Sequence, residues 1–568
     1  MHVSSETVPS GPVRADWIGA RSLFARLPAA RALRRCPVAV AGRVVRIRFE
    51  RSLPVEYIDE FLAPYLAAWG ARLEVERSDY DPALPQVEKA ADHDVRVLFV
   101  DWRLYRKFAP QAALAWIAER ARIALASNAR APVLVNDWPR GPGDDDPWFA
   151  ALNEHLAAVL PHIAGVTVLD LSSVRAEIGG DFFDGRNDAV SNFPFSSAAA
   201  VAIARHLGLD LFPSLLGERI KGIVVDLDDT LWRGALGEDG PSGIVVGPAH
   251  QRLHRKLRDL QERGILLSIC SRNEAEDVRA FFAARPDIGL RLGDFASVQV
   301  NWMPKADNLL AVARDLNVDP SSLLFIDDNP AELSKALGMI PGLRVLLADP
   351  GGEETASALA HYPGLWSARA DQAASIRTAD VRANREREQL KLHATDQRSY
   401  LAALRMEVTL HDGNVAHVGR VHDLSNKTNQ FNLALKRLSP VQAQESFGQG
   451  NMAMTVSLKD ALSDSGVVGA ILARVDGTRA VIAEVLFSCR VLGRDVETLA
   501  LMRFLRWLEE RGVERVRFEV AEGQRNHPAR DWLKRFVPGE PEGPVAILKK
   551  AVEQACVGHP AAIVEEHR

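Results

Sequence analysis

The chain has 568 residues, with 74 acidic and 69 basic side chains and a net charge of −5 at pH 7. That length is too great for one core and predicts three domains of about 150–220 residues. The mild negative charge without long basic runs argues against a nucleic-acid partner. No apolar stretch approaches about 18 residues and the first twenty residues lack a secretory apolar region, so a cytoplasmic protein with no membrane partner is expected.

In the N-terminal third, Val44–Phe49, Val95–Val100, Pro132–Val135 and Val166–Leu171 read as short buried strands. They alternate with helical segments such as Val55–Trp69 and Pro110–Leu125, which predicts an α/β domain with a parallel sheet over 1–215. Linkers fall near Phe212–Ile220 and in the charged stretch Asp371–Gln397. They bound a central α/β domain over 216–370 and an α+β domain over 371–545, with a poorly packed tail over 546–568.

The central region carries the chemistry. Ile223–Val225 is a β-branched run that leads into Asp226-Leu227-Asp228-Asp229-Thr230. On a strand, residues i and i+2 share a face, so Asp226 and Asp228 would project together at the strand's carboxyl end, where open parallel sheets bind ligands. Two crowded carboxylates repel unless a cation lies between them, and an oxygen-only site suits Mg²⁺. One Asp can then attack phosphorus while the other moves a proton to the leaving group. Taken alone, the same residues also fit a buried strand with a polar turn. Downstream stand Leu266–Asn273, Pro304-Lys305 and Leu323–Pro330: two apolar runs ending in polar groups, with a lysine between.

This ordered series resembles the four motifs of the haloacid dehalogenase (HAD) phosphatase superfamily, over roughly residues 216–350. The resemblance implies a Rossmannoid parallel sheet, Asp226 as the nucleophile and Asp228 as the general acid/base. It implies a Mg²⁺ site from Asp226, Asp327 and the backbone carbonyl of Asp228, with Asp328 beside it. Ser271 would hydrogen-bond a phosphoryl oxygen, and Lys305 would neutralise charge on the phosphoryl group. Thr230, Arg272, Asn273 and Asn329 would complete the surroundings of the substrate. Only 44 positions separate Asp226 from Cys270, and 34 separate Ser271 from Lys305. Neither gap holds a separate cap domain of about 50 residues or more. An uncapped site suggests a large or tethered substrate.

Trp232-Arg233-Gly234, Ile269–Glu274, Asn301-Trp302, Asp327–Pro330, Lys427–Leu433 and Ser488–Arg494 together look like the FkbH-like proteins of the class IIIC HAD branch. That resemblance implies an enzyme that takes the glyceryl group from 1,3-bisphosphoglycerate, removes its phosphate and loads it on the phosphopantetheine arm of an acyl carrier protein in polyketide-type biosynthesis. Arg272 stands where the family often has Lys, and Asp229 where Asn is frequent. The N-terminal region is similar to the SGNH-hydrolase-like part of long FkbH-like proteins, but it has no Gly-Asp-Ser block. Asp184-Gly185-Arg186-Asn187 occupies roughly the place of the downstream Asp-x-x-His pair, so a scaffolding role is expected.

Four cysteines without a C-x-x-C pair give neither a disulfide framework nor a thiol metal site. Cys270 ends an apolar strand beside Ser271 and Arg272, and nearby positive charge would favour its thiolate. It is expected to accept the acyl group, with Cys489 as the rival. In the C-terminal third, Val481–Phe487, the turn Arg490–Asp495, a helix Val496–Glu510 and a returning strand Val513–Val520 resemble the acyl-CoA motif of Gcn5-related N-acetyltransferases (GNAT). Arg490 and Gly493 match that motif and would hold the carrier arm at the helix N-terminus; a plain βαβ unit is the alternative.

Overall fold

The computed structural model describes residues 29–35, 43–80, 92–128, 130–139, 146–216, 219–285, 287–316, 318–366, 383, 386–387, 390–391, 393–428, 430–488, 491–523 and 526–566. The chain divides into two compact units, Met1–Ala374 and Ser375–Arg568.

The first unit begins with a five-stranded parallel sheet: β1 (Arg43–Arg51), β2 (Ala71–Tyr80), β3 (Val95–Phe99), β4 (Val133–Asn136) and β5 (Val166–Leu169), in the order β2-β1-β3-β4-β5. Strands β3 and β4 are buried along their whole length, as parallel strands covered on both faces must be. Edge strand β2, Ala-Arg-Leu-Glu-Val-Glu-Arg-Ser-Asp-Tyr, is mostly polar and was not expected from the sequence. Helices α1 (Pro110–Ser127), α2 (Pro147–Val159) and α3 (Ser197–Arg205) follow. The helical stretch Ser197–Leu215, with a mean hydropathy of 1.2, is long and apolar enough for a membrane span, contrary to expectation. Its most apolar window is 83% buried, so the protein's own core accounts for its hydrophobicity.

A second five-stranded parallel sheet follows: β6 (Gly222–Val225), β7 (Leu266–Ser271), β8 (Ser297–Val300), β9 (Leu323–Asp327) and β10 (Arg344–Leu347), in the order β10-β9-β6-β7-β8. It is wound with α4 (Pro248–Glu262), α5 (Ala275–Ala284), α6 (Lys305–Asp315) and α7 (Pro330–Met339). One hydrophobic cluster runs through both sheets, from Val97 and Leu134 to Ile223 and Ile269. Ionic groups extend the join: His361, beyond β10, faces buried Asp210 at 3.4 Å and Glu177 at 3.8 Å. The residues expected as two domains thus pack as one compact unit.

The second unit is built on a seven-stranded mixed sheet: β11 (Glu407–Asp412), β12 (Asn451–Lys459), β13 (Asp464–Asp476), β14 (Arg479–Phe487), β15 (Arg515–Phe518), β16 (Glu542–Pro544) and β17 (Ala562–Glu566). Its order is β16-β15-β14-β13-β12-β11-β17. Strands β11 to β14 form an antiparallel meander, and β15 runs parallel to β14 after helix α8 (Val496–Glu510). The expected tail over 546–568 is not a tail. Its residues form most of helix α9 (Val545–Cys556) and strand β17, which pairs in parallel with β11. Val545, Leu548 and Val552 recur at helical spacing and are buried, which gives this segment its own core face.

Candidate active site

The register of the second sheet assembles the site. Val225 pairs with Ile269 on β7 and Ile326 on β9, so the next residues, Asp226, Cys270 and Asp327, are level at the carboxyl edge. The amide of Asp226 still donates to the Ile326 carbonyl at 2.9 Å. Asp226, Asp327 and Asp328 each bring a carboxylate oxygen to within 4.8 Å of the others. Lys305, the first residue of α6, reaches into this cluster: its Nζ donates to Asp226 Oδ2 at 2.8 Å and to Asp327 Oδ2 at 2.6 Å. Both carboxylates and the ammonium are buried. Asp226 Oδ1 is also buried and accepts no hydrogen bond. A hard divalent cation is the natural group for such an orphaned oxygen in an all-carboxylate set, and the donors fit one.

The Asp228 carboxylate does not join this cluster, which corrects the expectation that its side chain would project beside that of Asp226; the ligand the resemblance implies from Asp228 is its backbone carbonyl. Strand β6 ends at Val225 and the chain then turns, with Asp229 in the left-handed region at φ 49°. Asp and Asn tolerate that conformation better than most residues. The Asp229 carboxylate also secures the turn, accepting from the Gly234 amide at 2.9 Å. The Asp228 carboxylate is held aside by three donors: Trp232 Nε1 at 3.1 Å, the Leu236 amide at 3.0 Å and Asn273 Nδ2 at 2.9 Å. Burial raises the Asp228 carboxyl above its ordinary value against these bonds, and the charge on Asp226 adds to the rise. A carboxyl kept protonated more readily beside a carboxylate cluster suits proton transfer.

Electrostatics tie the groups together. Burial, then the charge of Asp226, push the Asp327 carboxyl up to about 7 against the pull of Lys305. Burial would lower the Lys305 ammonium, but Asp226 and Asp327 outweigh it and hold it above its usual value. Lys305 is thus a buried member of the site and not a surface lysine.

The other expected site residues take varied places. Ser271 is buried and accepts from Asn273 Nδ2 at 3.2 Å. Asn273 therefore links the second motif to Asp228. Arg272 is partly exposed at the rim, with Glu332 3.5 Å away. Asn329 acts on the protein itself: its amide donates to Asp327 Oδ1 and its side chain caps α7 at the Ala331 amide, both at 2.9 Å. Thr230 is fully buried, and its hydroxyl finds no hydrogen-bond partner.

Two supporting residues escaped functional assignment from the sequence. Trp232 lies in one of the family-like strings, and its indole N–H holds Asp228 while its ring packs on Phe281 and Phe282. His254 donates from Nε2 to the Leu231 carbonyl at 2.7 Å and accepts the Gly289 amide on Nδ1 at 3.3 Å. Burial lowers it to about 4, so it stays neutral in that role. No sequence signal distinguished it from an ordinary core histidine.

Cys270 contradicts the expected thiolate. Its side chain is fully buried and lies 3.7 Å from the Lys305 carbonyl. Burial pushes the thiol up to about 12; Lys305 lowers it, but Asp226, Asp327 and Glu332 raise it again. The nearby cation is spent on the carboxylates. Iodoacetamide at pH 8 is therefore expected to leave Cys270 unmodified in the folded protein, as read by peptide mass; rapid alkylation there would contradict this picture.

Between Asp226 and Lys305 the described residues form a short kinked helical segment (Leu236–Gly243), α4, β7, α5 and β8, with no separate cap domain. In the N-terminal region Asp184 caps a helix, accepting from the amides of Arg186 at 2.9 Å and Asn187 at 3.3 Å, which is a structural use of that residue.

In the second unit, Cys489 and Arg490 lie outside the described residues, as does Asn429. Gly493 has φ 79° and its carbonyl accepts from Gln397 Nε2 at 2.9 Å. The first turn of α8 is buried, from Val496 to Leu499, and the carboxyl of Glu497 is raised to about 7 by its burial there. Arg494 is buried against Asp460 at 2.8 Å. Beyond Ile482, where β14 stops pairing with β15, residues Phe431–Leu433 line β14 instead: Phe487 N donates to Phe431 O at 2.9 Å and Leu433 N to Val485 O at 3.1 Å.

Glu484 on β14 anchors this segment. Its carboxylate accepts from the amides of Ala434 at 2.9 Å and of Lys436 and Val485 at 3.0 Å. Burial nevertheless raises it from 4.5 to about 7. The folded state then holds this proton where the unfolded chain has lost it, so stability falls as pH rises from 4.5 towards 7. Thermal unfolding should show Glu484→Gln, which cannot ionise, gaining on the wild type across that interval; a constant gap would contradict the burial argument.

No protein-family model matches the chain. It is 26% identical over 107 residues to enolase-phosphatase E1 of Aquifex aeolicus, covering 18% of this chain and 48% of that protein. It is 27% identical over 135 residues to enolase-phosphatase E1 of Granulibacter bethesdensis, covering 23% of this chain and 56% of that protein. The chain thus spans about half the length of the curated relatives it matches. Among solved structures, the N-terminal part of the protein BF1531 from Bacteroides fragilis, which contains a phosphatase domain and is complexed with Mg, aligns at 21% identity and a TM-score of 0.48. That alignment covers 60% of this chain and 100% of the other. The likeness to the enolase-phosphatases supports the HAD superfamily for this chain.

Proposed function

We propose that this chain is a Mg²⁺-dependent enzyme of the FkbH-like kind, cytoplasmic, which dephosphorylates a glyceryl group taken from 1,3-bisphosphoglycerate and loads it on an acyl carrier protein. The observation that carries the phosphoryl-transfer half is the cluster of buried Asp226 and Asp327 with half-buried Asp328, Lys305 threaded into it and the Asp228 carboxylate held apart. In this reading the Asp226 carboxylate attacks phosphorus, forming an aspartyl phosphate as the bond to the leaving oxygen breaks. Asp228 gives that oxygen its proton, then takes one from the water that hydrolyses the aspartyl phosphate. Lys305 offsets charge on the carboxylates and the phosphoryl oxygens. Asp226, Asp327 and the backbone carbonyl of Asp228, with Asp328 beside them, would hold Mg²⁺, which supplies further charge neutralisation when bound. An uncapped rim supports a tethered substrate, and the family strings support the glyceryl donor and the carrier.

One observation favours a second reading, a plain Mg²⁺ phosphatase whose flanking regions only bind protein: Cys270, the expected acyl acceptor, is sealed and held as a thiol. Acyl carrier protein incubated with labelled 1,3-bisphosphoglycerate and the enzyme separates the two. Label on the phosphopantetheine arm together with phosphate release is the result expected for loading. Phosphate release with an unlabelled carrier leaves only the phosphatase.

A further inference from the structure

Beside the carboxylate cluster, the loop between β8 and α6 carries two large apolar side chains in solvent: Trp302 is 67% exposed and Met303 56%. Their backbone is firmly set. The Asn301 amide donates to the Ser271 carbonyl at 3.2 Å, joining this loop to the end of β7. The side-chain amides of Asn301 and Asn308 exchange hydrogen bonds at 2.9 and 3.2 Å, and Asn301 Oδ1 also takes the Met303 amide at 2.9 Å. The exposed indole is itself oriented, because Trp302 Nε1 donates to Glu274 Oε1 at 2.7 Å. Glu274 directly follows Asn273, the residue that holds Asp228. An aromatic ring held in solvent between Glu274 of the second motif and the loop that leads to Lys305, with a methionine beside it, is a preformed apolar contact without an internal use.

We infer that Trp302, with Met303, is the specificity-determining contact for the part of the substrate beyond the bridging phosphoryl oxygen. The phosphoryl end enters among Asp226, Asp228 and Lys305, and the carbon chain leaving that pocket lies across the indole. The chemical class favoured is a phosphomonoester whose acyl group is already tethered to an extended arm with apolar methylene groups, such as a phosphoglyceryl unit on a carrier arm, over the same phosphate free in solution. This rests on Asp226 as the phosphoryl-transfer nucleophile.

The test compares KM for ethyl phosphate and hexyl phosphate in the full-length wild type, Trp302→Ala and Trp302→Phe, with inhibition by inorganic phosphate reporting on the phosphoryl pocket. In the wild type, KM for the hexyl ester should lie about tenfold below that for the ethyl ester, the value of one good apolar contact. Trp302→Ala should erase that difference with inhibition by phosphate retained, and Trp302→Phe should restore most of it. The same chain-length dependence in wild type and Trp302→Ala overturns the inference and leaves the nucleophile reading intact. Absence of turnover of both esters in the wild type, indistinguishable from Asp226→Asn, overturns both.

Discussion

Replacing Asp226 by Asn is expected to reduce phosphate release by a factor on the order of 10⁴ or more, because it removes the attacking oxygen from the only position where β6, β7 and β9 bring the cluster together. The substitution keeps shape and leaves a group that can still accept from Lys305, so the fold should survive. Asp228→Asn should behave differently. Its oxygen can still accept from Trp232 and the Leu236 amide, while the bond from Asn273 and the transferable proton are lost. A fall of about 10²–10⁴ is expected for an alkyl phosphate, whose leaving oxygen needs that proton, and a smaller one for p-nitrophenyl phosphate. Steady-state kinetics on the two esters checks both statements; equal losses for Asp228→Asn on both would remove its role as the acid.

Lys305→Met should have the largest effect on stability. Among the described residues Lys305 is the one cation bonded to both Asp226 and Asp327, and all three groups are buried, Asp327 completely. Breaking a buried ionic set from one side strands the remaining charges at a cost of about 3–5 kcal/mol. In chelator the variant should therefore melt well below the wild type, and it should release phosphate poorly whatever the temperature. Mg²⁺ should recover more stability in the variant than in the wild type, since a cation among the same carboxylates replaces the missing charge. Thermal unfolding with chelator and with Mg²⁺ reads this directly. Equal melting of the two proteins in chelator would mean that the carboxylates are already protonated and that the lysine holds nothing.

How much of this was legible in the sequence follows from how local each determinant is. Strands β6, β7 and β9 stand out because a parallel strand covered on both faces must be apolar throughout, and each ends in polar residues. Asp226, Asp327 and Lys305 follow from those ends and from the lysine that opens the next helix. Strand alternation misplaces the Asp228 side chain because β6 ends at Val225 and the chain bends at Leu227, before Asp228 is reached. The thiol of Cys270 was misjudged because sequence proximity to Arg272 says nothing about burial, and burial decides its state. Trp232 and His254 act through hydrogen bonds whose partners are set by packing, which no spacing rule encodes. The closing strand β17 was missed because it pairs with β11 from the far end of the unit, where a short exposed segment looks like a tail.

Trapping the covalent intermediate tests the phosphoryl-transfer account most directly. Protein turning over a phosphomonoester with Mg²⁺ is quenched with borohydride, which reduces an aspartyl phosphate to homoserine, and the peptide spanning β6 is sequenced by mass spectrometry. Homoserine at position 226, absent without substrate and absent from Asp226→Asn, is the predicted result. Phosphate release in the same sample with an unmodified Asp226, or reduction at a different aspartate, would contradict it.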